Sequence, residues 1–307
     1  CHQLFLGLGL MVTGLIVVSP KIVAPAVNLN PPGAPPWFPF LFITIACGAI
    51  SGFHGLVSGG TTSKQVAKWK DAKVIGYGGM LGEGLLALLA TLAVCTGFSS
   101  EGAWHQHYAS WGAASGLSAK INAFVLGAGN FVSGLGIPEN VSQTVIAVLI
   151  ISFAATSLDT ACRIQRYIIE EFGKSMGIKI FENRFVGSGF AVGSAFILML
   201  TSAKGKGGLH LWPLFGATNQ MLAGLTLIVI TIWLYRQRKN IWPYLLPGIF
   251  IILMTILALF LNVKSFVSKG NWFLMSIGII LFLIQIWIMA EAILLFSKLK
   301  KTGPSHL

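Results

Sequence analysis

Charge is what this 307-residue sequence has least of: Asp, Glu, Lys and Arg make up 10% of it, against 55% hydrophobic residues. Acidic side chains are the scarcest, nine Asp and Glu to 21 Lys and Arg, for a formal net charge of +12. With a mean hydropathy of +0.78, an ordinary soluble domain is excluded, because the surplus apolar surface would face water. Charges are missing altogether between Lys21 and Lys64, Lys206 and Arg236, Lys239 and Lys264, and Lys269 and Glu291. Each gap exceeds the ~20 apolar residues that a membrane-spanning helix needs. The basic excess makes no nucleic-acid face, since it falls in short clusters between apolar runs, where membrane topology accounts for it.

Other absences narrow the chemistry. The four cysteines (Cys1, Cys47, Cys95 and Cys162) lie far apart in or beside apolar segments. Neither a disulfide framework nor a CxxC metal site is readable, and inert thiols are the simplest account. HExxH, P-loop and GxSxG patterns are absent, so the sequence supports no enzyme and no cofactor. His105-Gln-His107 has no accompanying carboxylate or Cys cluster and is a weak metal candidate. The chain starts at Cys1, and no basic stretch precedes its first apolar run. That run reads as an internal membrane helix rather than a signal peptide, with further sequence expected upstream.

What is present is a series of apolar runs. Eight spans are expected, near 3–19, 37–57, 76–97, 141–159, 185–203, 211–234, 242–262 and 271–296, all helical because open strands cannot be satisfied in lipid. The fold class is therefore all-α, a polytopic integral membrane protein with residues 1–307 as one transmembrane domain. Basic residues concentrate in loops of one parity: Lys64 to Lys73, Arg163 to Arg184, Arg236 to Lys239 and Lys298 to Lys301. The other parity holds Lys21, Lys120, Lys204, Lys206, Lys264 and Lys269. The positive-inside rule then puts both ends of this chain in the cytoplasm. A ninth apolar stretch, 121–138, would invert that parity if it crossed. It is read as a re-entrant or capping segment within an external loop, 98–140, an ordinary surface helix being the alternative.

Ionisable groups inside spans are functional candidates by default. Glu291, within about two turns of Lys298, reads more simply as an interfacial acid. Glu83 suits either helix–helix hydrogen bonding or proton relay. Asp159 shares a helical face with Thr156 and Thr160, with Ser157 close by, and these oxygens could take a proton or a small hard cation; an Asp159–Arg163 pair is the plainer alternative. Histidine is the side chain whose ordinary charge change falls nearest neutral pH, and His54 is balanced between coupling group and structural histidine. Its surroundings favour function, because Ser51, Gly52, Ser58, Thr61 and Thr62 interleave with further glycines in one span. Such a run permits unwinding, and freed backbone groups with hydroxyls suit an anionic or zwitterionic solute. A second break is expected at Leu211–Gly224, where Pro213 lacks a donor and Thr218, Asn219 and Gln220 would wall a cavity; hydrogen-bonded helix packing is the alternative. Gly189 and Gly193 read as small-residue packing positions.

Three stretches, Cys47-Gly-Ala-Ile-Ser-Gly-Phe-His-Gly-Leu-Val-Ser-Gly-Gly-Thr-Thr62, Ser152 to Glu171 and Leu211-Trp-Pro-Leu-Phe-Gly-Ala-Thr-Asn-Gln-Met-Leu-Ala-Gly224, resemble in order the signatures of the carbon starvation protein A family. The resemblance implies an inner-membrane carrier used under nutrient limitation, importing short peptides or, in close relatives, pyruvate with protons. It also implies distant likeness to the broken-helix amino-acid and sodium symporters, and family helices upstream of Cys1. The partners so implied are a small carboxylate or peptide, a coupling proton or sodium ion and the lipid bilayer, with no nucleic acid. A passive channel or a membrane solute sensor is the rival reading.

Overall fold

The computed structural model describes residues 2–29, 31–98, 100–114, 117–201 and 207–302. Cys1, Lys204 and Lys206 lie outside them. Among the described residues there are helices and no strands. They run α1 (His2–Val18), α2 (Phe42–Ala49), α3 (Gly52–Val57), α4 (Ser63–Gln65), α5 (Trp69–Thr96), α6 (Glu101–His107), α7 (Leu117–Ser133), α8 (Glu139–Met176), α9 (Arg184–Leu200), α10 (Trp212–Arg236), α11 (Trp242–Ser268) and α12 (Trp272–Thr302). Among the described residues six helical stretches are long and apolar enough to cross a membrane, including Trp37–Gln65, which contains α2 to α4, and Gly207–Arg236, which contains α10. Gln3–Val18 and Arg184–Leu200 are shorter apolar helices. The chain is thus a multi-pass membrane protein, with six of the eight expected spans reaching full length.

The chain divides into two compact units, Cys1–Ala34 with Val66–Ala161, and Pro35–Gln65 with Cys162–Leu307. The first is held by α1, α5 and α7, whose buried Leu8, Met11, Leu89, Ala93, Ala128 and Phe131 form one core with Ile146 and Leu149 of α8. Close approach depends on glycine. A Cβ at Gly14 would strike the Phe131 carbonyl, and one at Gly127 would strike that of Ala93. The 121–138 stretch is therefore regular helix as far as Ser133, and Gly127 serves contact rather than unwinding. After α7 the backbone turns at Gly136, with φ of +89°, a conformation that favours glycine.

The second unit packs α2, α10, α11 and α12 around Ile43, Leu214, Ala217, Ala258, Leu259, Phe266 and Leu274. Gly224 lets α10 lie against Ile252 of α11, where an added Cβ would come within 2.9 Å. Buried Thr231 and Thr255 return their hydroxyls to the Leu227 and Ile251 carbonyls of their own helices, which satisfies them without a partner helix. In α9 the packing position is Gly187, facing the Arg166 side chain. Nothing described lies within 4 Å of where a Cβ at Gly189 or Gly193 would stand.

Candidate functional site

The helix that begins at Phe42 stops at Ala49, and a new one begins at Gly52. Between them Ile50 (φ −134°, ψ 76°) and Ser51 (φ −86°, ψ 133°) leave helical geometry. A break of this kind orphans carbonyls on one side and amides on the other. Two adjacent side chains of α10 take up part of that deficit. Asn219 Oδ1 accepts the Phe53 backbone N–H at 2.9 Å and the Ser51 hydroxyl at 3.1 Å, while Gln220 Nε2 donates to the Ile50 carbonyl at 3.2 Å. Ser51 caps α3 directly as well, its Oγ accepting from Phe53 N at 3.2 Å. Asn219 is 5% exposed and Gln220 fully buried. The Gln220 Oε1 atom is buried without a hydrogen-bond partner among the described residues.

Glycine makes the clamp possible. A Cβ on Gly52 would overlap the Asn219 carbonyl and Leu222, and one on Gly55 would come within 2.5 Å of the Thr226 hydroxyl. Only hydrogen at these two positions lets α3 lie flat on α10.

The second expected break does not occur. α10 is continuous from Trp212, and Pro213 stands in its first turn after the 3-10 turn Gly207–Leu211. There a missing N–H costs nothing, because the first amides of a helix have no intrahelical acceptor. The Pro213 carbonyl accepts from Asn262 Nδ2 at 3.3 Å.

Beside the break, a cavity of about 230 Å³ lies between the first half of the broken helix and the start of α10, with Thr44, Cys47, Trp212, Gly216 and Asn262 in its wall. Cys47 links cavity to clamp, its Sγ accepting from Asn219 Nδ2 at 2.9 Å. Cys47 is thus a hydrogen-bond acceptor at the clamp, a contact that goes beyond the inert thiol expected from the sequence. Its position one turn before Ser51 was the available signal. Beyond α3, a more open groove of about 640 Å³ is bordered by Gly55, Gly59, Gly60, Lys64, Tyr167 and Glu171. Lys64 Nζ sits 4.5 Å from the Tyr167 ring centre, within cation–π range.

The expected site residues thus separate. Ser51, Gly52, Asn219 and Gln220 come together at the break. Ser58, Thr61 and Thr218 donate to carbonyls of their own helices at Gly55, Val57 and Leu214. Thr62 is half-buried and His54 exposed. In α8, Thr156 and Thr160 likewise return their protons to the Ser152 and Thr156 carbonyls. Ser157 and Asp159 are exposed on the same helix, as Glu83 is on α5. His105 pairs with Glu101 at 3.7 Å, and His107 packs on Phe98 and Tyr108. Among the described residues no three His, Cys, Asp or Glu side chains group as a metal site would require.

The described residues thus make a multi-pass membrane protein in which one helix breaks within its apolar stretch and is clamped there by side-chain amides of a second. The chain belongs to the carbon starvation protein CstA family, whose model matches residues 1–105 and 99–258. It is 30% identical over 302 residues to the peptide transporter CstA of Helicobacter pylori strain ATCC 700392, covering 81% of this chain and 43% of that protein. Over 314 residues it is 29% identical to the peptide transporter CstA of Escherichia coli K12, covering 83% and 44%. The pyruvate/proton symporter BtsT of the same strain is 29% identical over 337 residues, covering 85% and 47%. The chain spans less than half the length of these curated relatives. No solved structure matches it significantly.

Proposed function

We propose that this chain forms part of a secondary active transporter, in the inner membrane, that imports a small carboxylate or a short peptide by cation symport. The observation that carries the reading is the clamped break at Ile50–Ser51 beside the cavity at Cys47. Broken helices near mid-membrane give a carrier backbone groups with which to bind polar solutes away from water. Gln220 Oε1, Ser51 and the backbone around Gly52 form the floor of the substrate site, with Thr44, Cys47 and Asn262 on its wall. His54, Ser58, Thr61, Thr62 and Thr218 line the path along the same two helices. The relatives' names support this class of solute, a peptide for some and pyruvate with a proton for another.

Asp159, with the hydroxyl oxygens of Thr156, Ser157 and Thr160, takes the coupling proton, with Glu83 and His54 as further exchange groups. The hydroxyl protons of Thr156 and Thr160 already point back to their helix, which leaves their oxygens to act as acceptors. The segment 98–140 caps the external side, and the basic loops face the cytoplasm. The broken helix supports likeness to the amino-acid and sodium symporters.

Reconstitution of the full-length protein tests the reading. Pyruvate or a dipeptide should accumulate above its external concentration when a proton gradient is imposed and stop when the gradient is collapsed. Flux that only ever runs downhill would assign the protein to channels, and binding without flux to solute sensors.

A further inference from the structure

A second cavity lies in the first unit, and nothing in the transport reading uses it. It encloses about 300 Å³ where the loop after α1 meets the segment after α5, with Trp104, Tyr108, Trp111, Ser110, Asn28 and Lys120 around it. The backbone ties these loops together: Val23 and Ala24 donate to the Cys95 carbonyl, and Trp111 N donates to the Pro32 carbonyl at 2.9 Å. Its volume is at the lower end of the ~300–1,000 Å³ range of small-molecule pockets.

The wall chemistry is specific. The Trp104 and Tyr108 rings lie 4.8 Å apart at 38°, and Trp111 presents a further indole that is 41% exposed. The Trp104 Nε1 atom is buried and has no hydrogen-bond acceptor among the described residues. An indole N–H can only donate, and natural folds rarely bury a donor idle. Ser110 Oγ already accepts from Ala113 N at 3.1 Å, which leaves its O–H to donate elsewhere. Burial, and secondarily Cys95, hold the Tyr108 phenol above its ordinary pKa, so it stays a neutral O–H. Lys120, exposed at the rim, adds a cation. Aromatic faces, several donors and one positive charge together call for a flat apolar body with an anionic acceptor.

We infer that the cavity framed by Trp104, Tyr108, Trp111 and Lys120 is a binding site for small aromatic carboxylates, separate from the substrate site at the helix break. The ring of the ligand packs on the indoles. Its carboxylate accepts from the Trp104 N–H and pairs with Lys120.

Isothermal titration of the full-length protein in detergent tests this, with phenylacetate as probe and its neutral isostere phenylacetamide as control. Phenylacetate should bind about tenfold more tightly than the amide, as expected for charge-assisted pairing. Trp104→Phe keeps the aromatic wall but removes the donor, and should weaken phenylacetate about tenfold. Lys120→Gln, an exposed change that folding tolerates, should erase the preference over the amide. Asn219→Ala, at the helix break, should lose uptake yet bind phenylacetate as wild type does. Equal binding of the two probes by wild type, or unchanged phenylacetate affinity in both Trp104→Phe and Lys120→Gln, overturns the site. Loss of phenylacetate binding in Asn219→Ala alone would place the probe at the break and overturn it too. The binding results do not depend on whether the protein transports anything.

Discussion

The side-chain amide of Gln220 donates to the main-chain carbonyl of Ile50, 170 positions away, across 3.2 Å. That carbonyl lies where helix α2 ends, and Gln220 is fully buried beneath it. Gln220→Leu keeps the volume but leaves the Ile50 carbonyl unpaired in an apolar setting, at a cost of about 1–3 kcal/mol. The purified protein should therefore melt several degrees lower. Gln220→Glu should melt lower than wild type at high pH, where a carboxylate would face a carbonyl, and recover as the pH falls and the protonated acid can donate to it. A wild-type melting temperature for the leucine variant would mean that the clamp does not hold the break.

Asn219 carries three contacts at once, to Phe53 N, Ser51 Oγ and Cys47 Sγ. Asn219→Ala removes all three and should lower maximal uptake at least about tenfold, as expected for a group that positions a binding backbone. Asn219→Asp keeps an acceptor for Phe53 and Ser51 but loses the donor to Cys47. Its uptake should fall between wild type and alanine, and Cys47→Ser, which offers a hydroxyl acceptor to Asn219, should stay near wild type. Initial rates of uptake by the reconstituted variants decide the order; equal loss in the aspartate and alanine variants would contradict it.

How much of this was readable beforehand differs between the two helices. The break at Ser51 was legible, because Ser51, Gly52 and Gly55 combine an N-cap residue with glycines that tolerate close approach. Its counterpart in α10 was not. Pro213 carries the same local signal whether it interrupts a helix or starts one, and only the preceding 3-10 turn, fixed by tertiary contacts, settles that it starts one. Asn219 and Gln220 were picked out as polar groups in an apolar span. That they serve backbone groups 166 and 170 positions away depends on helix pairing, which no local pattern encodes. The hydroxyls of Ser58, Thr61 and Thr218 illustrate the opposite limit. Their sequence pattern marks them as hydroxyls suited to a solute, and each donates to an acceptor one turn back in its own helix, as Ser and Thr do in apolar helices.

The glycines of the broken helix separate by what stands beside them. Gly52→Ala must displace the α10 backbone at Asn219, and Gly55→Ala the Thr226 side chain, whereas Gly48 and Gly59 have nothing within 4 Å of an added methyl. Overpacking costs about 1–3 kcal/mol, while Ala for Gly in open helix gains roughly 0.5–1 kcal/mol. Thermal melts should thus rank Gly52→Ala lowest, Gly55→Ala above it, and Gly48→Ala and Gly59→Ala at or above wild type. A destabilised Gly48→Ala would show that this face is covered in the whole protein.

Coupling is tested by removing the titratable group and keeping its shape. Asp159→Asn preserves the volume and one oxygen beside Thr156 and Thr160 but cannot exchange a proton at any working pH. If Asp159 carries the coupling proton, this variant should lose accumulation driven by an imposed pH gradient, and the pH dependence of uptake with it. Exchange of labelled for unlabelled solute across the membrane should survive, because exchange needs the binding site at the break but no net proton movement. His54→Ala should reduce the rate without abolishing gradient-driven accumulation, as fits an auxiliary exchange group. Retained pH-driven accumulation in Asp159→Asn would remove Asp159 from the coupling path, and accumulation that follows a sodium gradient instead would reassign the driving ion.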